Sequence, residues 1–200
     1  MDARSARSRG SVESGAVTGG GWSGVILFRH ADPRFPFLWE DASQPEARWH
    51  AGGEGPAHYL AETPDGAWAE FLRHEGITDA ADLPTVQRAI WAIDVPDDEL
   101  AEPTLPEATL RGGISSYAPC QIEARRLRTG GAAGLAAPCA ALKPATPSGW
   151  RVQSGLQPGR PRQERIVVLF GPRPDLVGWA TCSTGRPRDD LLPRVSPLTP

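Results

Sequence analysis

The sequence is poor in cysteine, with three among its 200 residues. Cys120, Cys139 and Cys182 are an odd number and lie far apart in the chain. They therefore suggest neither the framework of a disulfide-rich fold nor the closely spaced pairs of a zinc site. We predict a protein without structural disulfides and without a bound metal, in a reducing compartment.

A long apolar run of the kind that targets or anchors a chain is also missing. Arg, Ser and Gly dominate the first 23 residues, which lack the apolar core of a signal peptide. The uncharged stretch at residues 130–142 is too short and too rich in Gly to span a bilayer. These features predict a soluble, cytoplasmic protein that does not attach to a membrane.

Glycine and proline are abundant instead, with 22 and 21 residues, and they concentrate at the two ends and after residue 143. A chain of this length suits one domain with one core. We expect one folded domain at residues 25–182, between a flexible lead at 1–24 and a flexible tail at 183–200. The insertion at 143–164, rich in Pro, Gly and Arg, is expected to be mobile.

Charge is divided unevenly along the chain. Residues 32–107 contain 17 acidic and 4 basic side chains, whereas residues 111–188 contain 3 acidic and 12 basic ones. Such halves either create a polarised field that draws in an anionic ligand or attract each other across the fold. Direct binding of nucleic acid is not indicated, because the basic residues lie among prolines without interleaved aromatic side chains.

The hydrophobic pattern predicts several short strands and two helices. Apolar or alternating runs indicate strands at residues 25–30, 57–62, 88–95, 135–142, 165–170 and 176–181. Helical spacing indicates one helix from Pro64 to about Gly76 and another over 116–128. Because strands and helices do not alternate regularly, the fold class predicted is α+β, a single domain with a mixed or antiparallel sheet.

Residues 48–74 combine three side chains that suit a nucleotide site. Arg48 could grip phosphate through its planar fork, Tyr59 could stack on a planar ring, and Glu70 could stabilise developing positive charge. Arg29, at the end of the first strand, is a second candidate for the same anionic ligand. Ordinary roles remain open for each residue. Arg48 could form a surface ion pair with a nearby glutamate, and Arg29 could simply lie at the surface. Tyr59 could pack in the core, and Glu70 could be a solvated glutamate on the helix.

Four features in a fixed order resemble a known family. They are RWH at 48–50, a glycine turn leading into Tyr59, AWAE at 67–70, and PC at 138–139 after an apolar strand. This order resembles the RES domain, a family named for an arginine, a glutamate and a serine, and the resemblance covers roughly residues 25–181. It implies that Arg48 is the family arginine, Tyr59 the tyrosine of the following strand, and Glu70 the glutamate.

Two positions depart from the family pattern. His50 stands where members commonly have Asn, and Cys139 follows the proline where members have Ser. If Cys139 takes the place of that serine in the catalytic site, its thiol is a weaker hydrogen-bond donor than a hydroxyl. The substitution therefore implies reduced or lost activity.

The resemblance also implies a function. RES proteins are toxins of bacterial toxin–antitoxin pairs, are similar in fold to ADP-ribosyltransferases, and consume NAD or transfer ADP-ribose from it. The implied activity is a glycohydrolase or phosphorylase acting on NAD, or else a protein ADP-ribosyltransferase, without a metal. The implied partner is a small helix-turn-helix antitoxin. A degenerate nucleotide-binding module without catalysis and a protein-interaction module are the alternatives from other functional classes.

Overall fold

The computed structural model describes residues 24–41, 43–96, 100–147 and 149–200. The strands are β1 Val25–Ala31, β2 Ala57–Ala61, β3 Arg88–Val95, β4 Gly134–Pro138, β5 Thr146–Pro147, β6 Trp150–Val152, β7 Leu156–Pro158, β8 Pro161–Arg162, β9 Arg165–Phe170 and β10 Val177–Gly185. The α-helices are α1 Pro64–His74, α2 Glu107–Leu110 and α3 Tyr117–Thr129, and 3₁₀ turns cover Ala80–Thr85, Ile114–Ser116 and Asp189–Arg194. The lead expected at residues 1–24 lies outside the described residues, apart from residue 24.

One six-stranded sheet organises the domain, in the order β10-β3-β1-β2-β9-β4. All neighbouring strands in it are antiparallel, and an isolated parallel bridge joins Ala101 to Leu135. The predicted α+β class and single domain with an antiparallel sheet are confirmed.

The sheet divides between its two central strands. Over the described residues, β1 pairs with β3 at seven positions, whereas β1 pairs with β2 at Phe28 and Ala61 alone. Strands β1 and β2 therefore diverge on either side of that pair. The gap between them opens the space that the candidate site occupies.

The first helix is well determined by local sequence. Thr63 caps α1, since its Oγ1 accepts a hydrogen bond from the Gly66 amide at 3.0 Å, and Pro64 occupies the first turn, where no amide partner is needed. Gly76 ends the helix with φ +65°, a conformation that favours glycine.

The helices cover one face of the sheet and form the larger core with it. Buried residues of α1, α3 and the sheet make up this core, including Trp68, Phe71, Leu72, Ala124, Leu127, Leu135 and Val168. A second cluster on the other face contains Leu27, Leu60, Ile93, Val95, Val167 and Leu169. The alternation of Tyr59 and Leu60 along β2 follows from this two-sided burial.

The two oppositely charged parts of the chain pair with each other across the fold. Glu54 contacts Arg125 at 2.7 Å, and Glu102 contacts Arg165 at 2.8 Å. Asp65 contacts Arg188 at 3.0 Å, and Glu62 pairs with Arg162. The charge asymmetry thus serves at least in part to join the two halves.

Three predicted segments differ in the structure. The strand predicted over 135–142 ends at Pro138, because after one more backbone bond, to the residue just before β9, the chain turns to the C-terminal tail, where the Ala141 carbonyl accepts from the Ser196 amide. The insertion at 143–164, expected to be mobile, forms two short antiparallel pairings, β5 with β8 and β6 with β7. The tail expected to be flexible packs against the domain, with Leu191 fully buried.

No helix among the described residues has the length and apolar character needed to cross a bilayer. The same residues contain no cluster of His, Cys, Asp and Glu that could hold a metal ion. All three cysteines are free thiols.

Candidate functional site

A cleft of about 370 Å³ lies where β1 and β2 diverge. Its volume falls within the range of about 300–1,000 Å³ typical of small-molecule sites. Strands β1 and β2, helix α1, the start of α3 and the loop before residue 50 all contribute walls. The polar and aromatic side chains that line it include Arg29, His30, Trp39, Arg48, His50, Tyr59, Glu70, Arg73, His74, Arg88 and Tyr117.

Glu70 and Cys139 meet at the inner wall of this cleft. The Cys139 Sγ donates a hydrogen bond to Glu70 Oε1 at 3.3 Å, and the thiol itself is fully buried. Burial raises the pKa of the Glu70 carboxyl, although the Cys139 thiol and the charges of Arg73, Arg48 and His74 counteract this. Cys139 therefore occupies a position from which it acts on Glu70 as a hydrogen-bond donor.

The Cys139 thiol is not activated as a nucleophile. Burial raises the pKa of this thiol well above its ordinary value, and the neighbouring Glu70 carboxylate raises it further. A reactive cysteine needs the opposite environment, with positive charge that stabilises the thiolate. The thiol is thus suited to donating a hydrogen bond and unsuited to covalent catalysis.

Arg48 is buried, and it binds protein oxygens rather than a surface carboxylate. Its Nη1 donates to Ser116 Oγ at 2.7 Å and to the Thr109 carbonyl at 3.3 Å, and its Nη2 donates to the Gly112 carbonyl at 2.6 Å. The guanidinium also lies 5.2 Å from the centroid of the Tyr117 ring. The alternative of a surface ion pair is wrong, since Arg48 is 8% exposed.

Arg73 joins the same network from the opposite side. Its Nη2 donates to the Gly112 carbonyl at 2.6 Å, so Arg48 and Arg73 share one acceptor. Its Nη1 donates to the carbonyls of Ala140 and Ser196. Because Arg73 lies three residues after Glu70 on α1, it places a buried positive charge beside the carboxylate.

Tyr59 is fixed by its hydroxyl. The Trp49 amide donates to this oxygen at 2.9 Å, and the oxygen lies 3.0 Å from His50 Nδ1. His50 Nε2 lies 2.8 Å from the Pro45 carbonyl, which can only accept a hydrogen bond. Nε2 therefore carries the hydrogen, and Nδ1 accepts from the Tyr59 hydroxyl. His50, at the position commonly occupied by Asn, orients the tyrosine ring.

A cationic group lines the β1 side of the cleft. Arg29 donates from Nη1 to the Tyr59 carbonyl at 3.1 Å, and burial lowers its pKa to about 10. The Arg88 Cζ lies 5.0 Å from the Phe71 ring centroid, and Arg88 Nη1 lies 3.6 Å from Asp32 Oδ2. Burial and the charges of Arg29, Arg88 and His74 lower the pKa of His30 to about 3. His30 is therefore neutral at physiological pH.

The structure brings together the residues singled out from the sequence. Arg29, Arg48, Tyr59 and Glu70 line one cleft, and Cys139 reaches Glu70 from behind it. Sequence reasoning missed further residues of the site, among them His30, Arg73, Arg88 and Tyr117. The helical spacing of Arg73 from Glu70 could have identified it, whereas the others depend on contacts between distant segments.

The arrangement has the components needed to break a bond whose cleavage creates positive charge. A carboxylate with a hydrogen-bond donor lies on one wall, an oriented aromatic ring on another, and two arginines face the ligand space on a third. Such preorganised charges stabilise developing charge without reorganisation during the reaction.

Comparison with known proteins agrees with this architecture. Residues 25–176 match the family described as the RES domain. Among solved structures, a chain of the crystal structure of the M. tuberculosis MbcT–MbcA toxin–antitoxin complex aligns with a TM-score of 0.53 and 15% sequence identity. The alignment covers 85% of this chain and 87% of that chain. Curated protein sequences give no match.

Proposed function

This chain belongs to the RES domain family, and on that premise we propose that it consumes NAD by cleaving the bond between nicotinamide and ribose. The observation that carries the proposal is the position of Glu70 and its Cys139 donor in the same cleft as Arg29, Arg48 and Tyr59. In this proposal the protein is the toxin of a toxin–antitoxin pair.

Glu70 stabilises the transition state. As the glycosidic bond breaks, nicotinamide leaves with the bonding electron pair and becomes neutral, while the ribose ring gains oxocarbenium character. A carboxylate beneath that ring stabilises the positive charge as it forms. Water then adds to the anomeric carbon and releases a proton, giving ADP-ribose, or phosphate adds and gives the phosphorylated sugar.

The pyrophosphate of NAD is assigned to Arg29 and Arg88. Both line the cleft on the side of β1 and β3, and arginine forks fit phosphate oxygens. Arg48 has both terminal nitrogens bonded to protein oxygens, so its role is to position the wall of the site. The Tyr59 ring, oriented by His50 and Trp49, is assigned to the nicotinamide ring.

The partner proposed is a small helix-turn-helix antitoxin that covers the cleft. The aligned solved structure is that of a toxin–antitoxin complex, and the fold it shares with this chain supports the assignment. A protein that consumes NAD without restraint would harm its own cell, so a covering partner is consistent with the proposed chemistry.

The direct test is to incubate the purified protein with NAD, with and without added phosphate, and to measure nicotinamide release. The wild type is expected to release nicotinamide, and Glu70→Gln is expected to lower kcat by about 100-fold or more, since it removes the stabilising charge. Glu102→Gln, which changes an exposed glutamate outside the cleft that pairs with Arg165, is the matched control and should retain activity. A folded wild type that releases no nicotinamide under either condition contradicts the proposal.

Non-catalytic binding of NAD is the second candidate, and Cys139 is the observation that favours it. The thiol is a weaker donor to Glu70 than the family's serine hydroxyl. Calorimetric binding of NAD to the wild type without nicotinamide release would select this candidate.

A further inference from the structure

The end of the chain runs along the back of the candidate site. Residues 191–199, here called the C-terminal strap, are anchored first by Leu191, which is fully buried. Val195 then pairs with Leu142 in an antiparallel bridge, and the Ser196 amide donates to the Ala141 carbonyl at 2.7 Å. The strap therefore packs against the segment that directly follows Cys139.

The strap also reaches the site itself. The Ser196 carbonyl accepts a hydrogen bond from Arg73 Nη1 at 3.3 Å, and the Leu198 side chain lines the cleft. Arg73 is the buried cation three residues after Glu70. The strap thus contributes one apolar wall residue and one backbone acceptor to the site, although it lies beyond the residues 25–176 that match the family.

Gly113 holds the far end of the strap in place. The Ile114 amide donates to the Thr199 carbonyl at 2.8 Å. A Cβ atom at Gly113 would lie 2.1 Å from that same carbonyl oxygen and 2.4 Å from Thr199 Oγ1, distances at which the strap must move. The loop that accepts hydrogen bonds from Arg48 and Arg73 therefore also carries the strap.

We propose that the C-terminal strap completes the ligand site, with Leu198 packing against the bound nucleotide and Ser196 holding Arg73 beside Glu70. The proposal rests on the proposed function in naming NAD as the ligand. The strap supports the site rather than blocking it, because its loss removes a hydrogen-bond acceptor from a buried arginine. Displacing it also removes one wall of the cleft.

Two pairs of variants test the proposal in the full chain, with Glu70→Gln as the background so that NAD is not consumed. Gly113→Ala displaces the strap, and Gly52→Ala is its control, because a Cβ at Gly52 meets no atom within 4 Å. Leu198→Ala removes the wall contact directly. Its control is Leu156→Ala, which truncates a leucine that is 68% exposed in β7.

Three measurements are made on each variant. Calorimetry gives the affinity for NAD. Hydrogen exchange gives the exchange rates of the Ile114 amide, which donates to the strap, and of the Ser196 amide, which belongs to the strap. Mass spectrometry of alkylated protein gives the labelling rate of Cys139. We expect both strap variants to bind NAD about tenfold more weakly, the size of a lost partly buried leucine contact, while both controls bind like the parent.

In Gly113→Ala, the Ile114 and Ser196 amides are also expected to exchange faster than in Gly52→Ala. Cys139 is expected to be alkylated faster as well. Unchanged or tighter NAD binding in a Gly113→Ala protein whose strap amides exchange rapidly overturns the proposal. If the parent binds no NAD, the proposed function fails. The labelling rate of Cys139 then tests separately whether the strap covers the back of the site. Equal labelling rates in Gly113→Ala and Gly52→Ala would overturn it.

Discussion

At the scale of single residues, the site is built around one partly buried carboxylate. Glu70 faces Arg73 on its own helix, and the Cys139 thiol donates to it. Burial still raises its pKa, so keeping this side chain ionised in the fold costs stability. Functional sites commonly carry such a cost, because the charge is needed for chemistry and not for folding.

Glu70→Gln should therefore make the protein more stable above neutral pH. A carboxyl whose pKa is raised by folding contributes stability below its unfolded pKa and loses that contribution as pH rises through the folded pKa. Gln does not titrate, so thermal unfolding should give a higher Tm for the variant than for the wild type near pH 8 and little difference near pH 4. Glu102→Gln, at a surface ion pair with Arg165, is the control, and a lower Tm for Glu70→Gln near pH 8 would refute this account.

Cys139→Ser should increase activity. A hydroxyl forms a shorter and stronger hydrogen bond to a carboxylate than a thiol does, and about 1 kcal/mol of added stabilisation corresponds to roughly a fivefold higher kcat. Steady-state nicotinamide release measures the change. Cys182→Ser, at a partly buried thiol in β10 outside the cleft, should leave kcat unchanged, and no increase in folded Cys139→Ser would argue against the donor role.

The principal site residues could be predicted because the family motif is local. Arg48, Tyr59 and Glu70 lie within 23 residues of one another in the sequence. The contacts that define their roles are not local: the Arg48 acceptors lie 61 to 68 residues away. Sequence spacing therefore identified the residues, and the structure was needed to show that the terminal nitrogens of Arg48 bind the protein.

At the scale of elements, local sequence predicts the strands and helices that have a clear hydrophobic pattern. It does not predict elements whose structure depends on contacts with distant segments. Strand β3 and strand β9 were predicted at the observed bounds, because alternation or a short apolar run marks each of them. Helix α1 follows from its cap and its apolar stripe. The short strand pairs within 143–164 were missed, because Pro and Gly dominate this segment and its strands are only two or three residues long.

Arg48→Lys tests whether this arginine holds the loop between α2 and α3. Lysine cannot reproduce the fork that binds Thr109, Gly112 and Ser116 together. Hydrogen bonds to charged groups contribute about 1.5–3 kcal/mol each, so we expect a loss of about 3 kcal/mol in unfolding free energy and a fall of roughly 6–12 °C in Tm.

Chemical denaturation and thermal melting measure these two quantities. The matched control is Arg125→Lys, which changes an arginine paired with Glu54 near the surface; it should alter stability by less than about 1 kcal/mol. A stable Arg48→Lys protein that only binds NAD more weakly would show instead that Arg48 is a ligand contact.

At the scale of the whole molecule, the sheet divides between β1 and β2, and the C-terminal tail packs back onto the domain. Ion pairs join the acidic half of the sequence to the basic half. The sequence predicts a flexible tail at residues 183–200, because this segment contains four prolines between 187 and 200 and few large apolar residues. Its packing follows from Leu191 and Val195, which join the larger core, and the sequence does not show that this core lies within their reach.

Leu191→Ala tests whether the tail is part of the fold. A fully buried leucine truncated to alanine costs about 2–5 kcal/mol through lost burial and the cavity left behind. Urea denaturation should show this loss, and Leu156→Ala should show almost none. A stability unchanged by Leu191→Ala would mean that the tail does not pack on the domain in solution.

The most direct measurement is a crystal structure of the Glu70→Gln protein with NAD. The account predicts a dinucleotide in the cleft between β1 and β2, with the anomeric carbon of the nicotinamide ribose within about 4 Å of the side chain at position 70, the van der Waals range. The pyrophosphate should lie beside Arg29 and Arg88. NAD bound elsewhere, or bound here with its scissile bond directed away from position 70, would contradict the account.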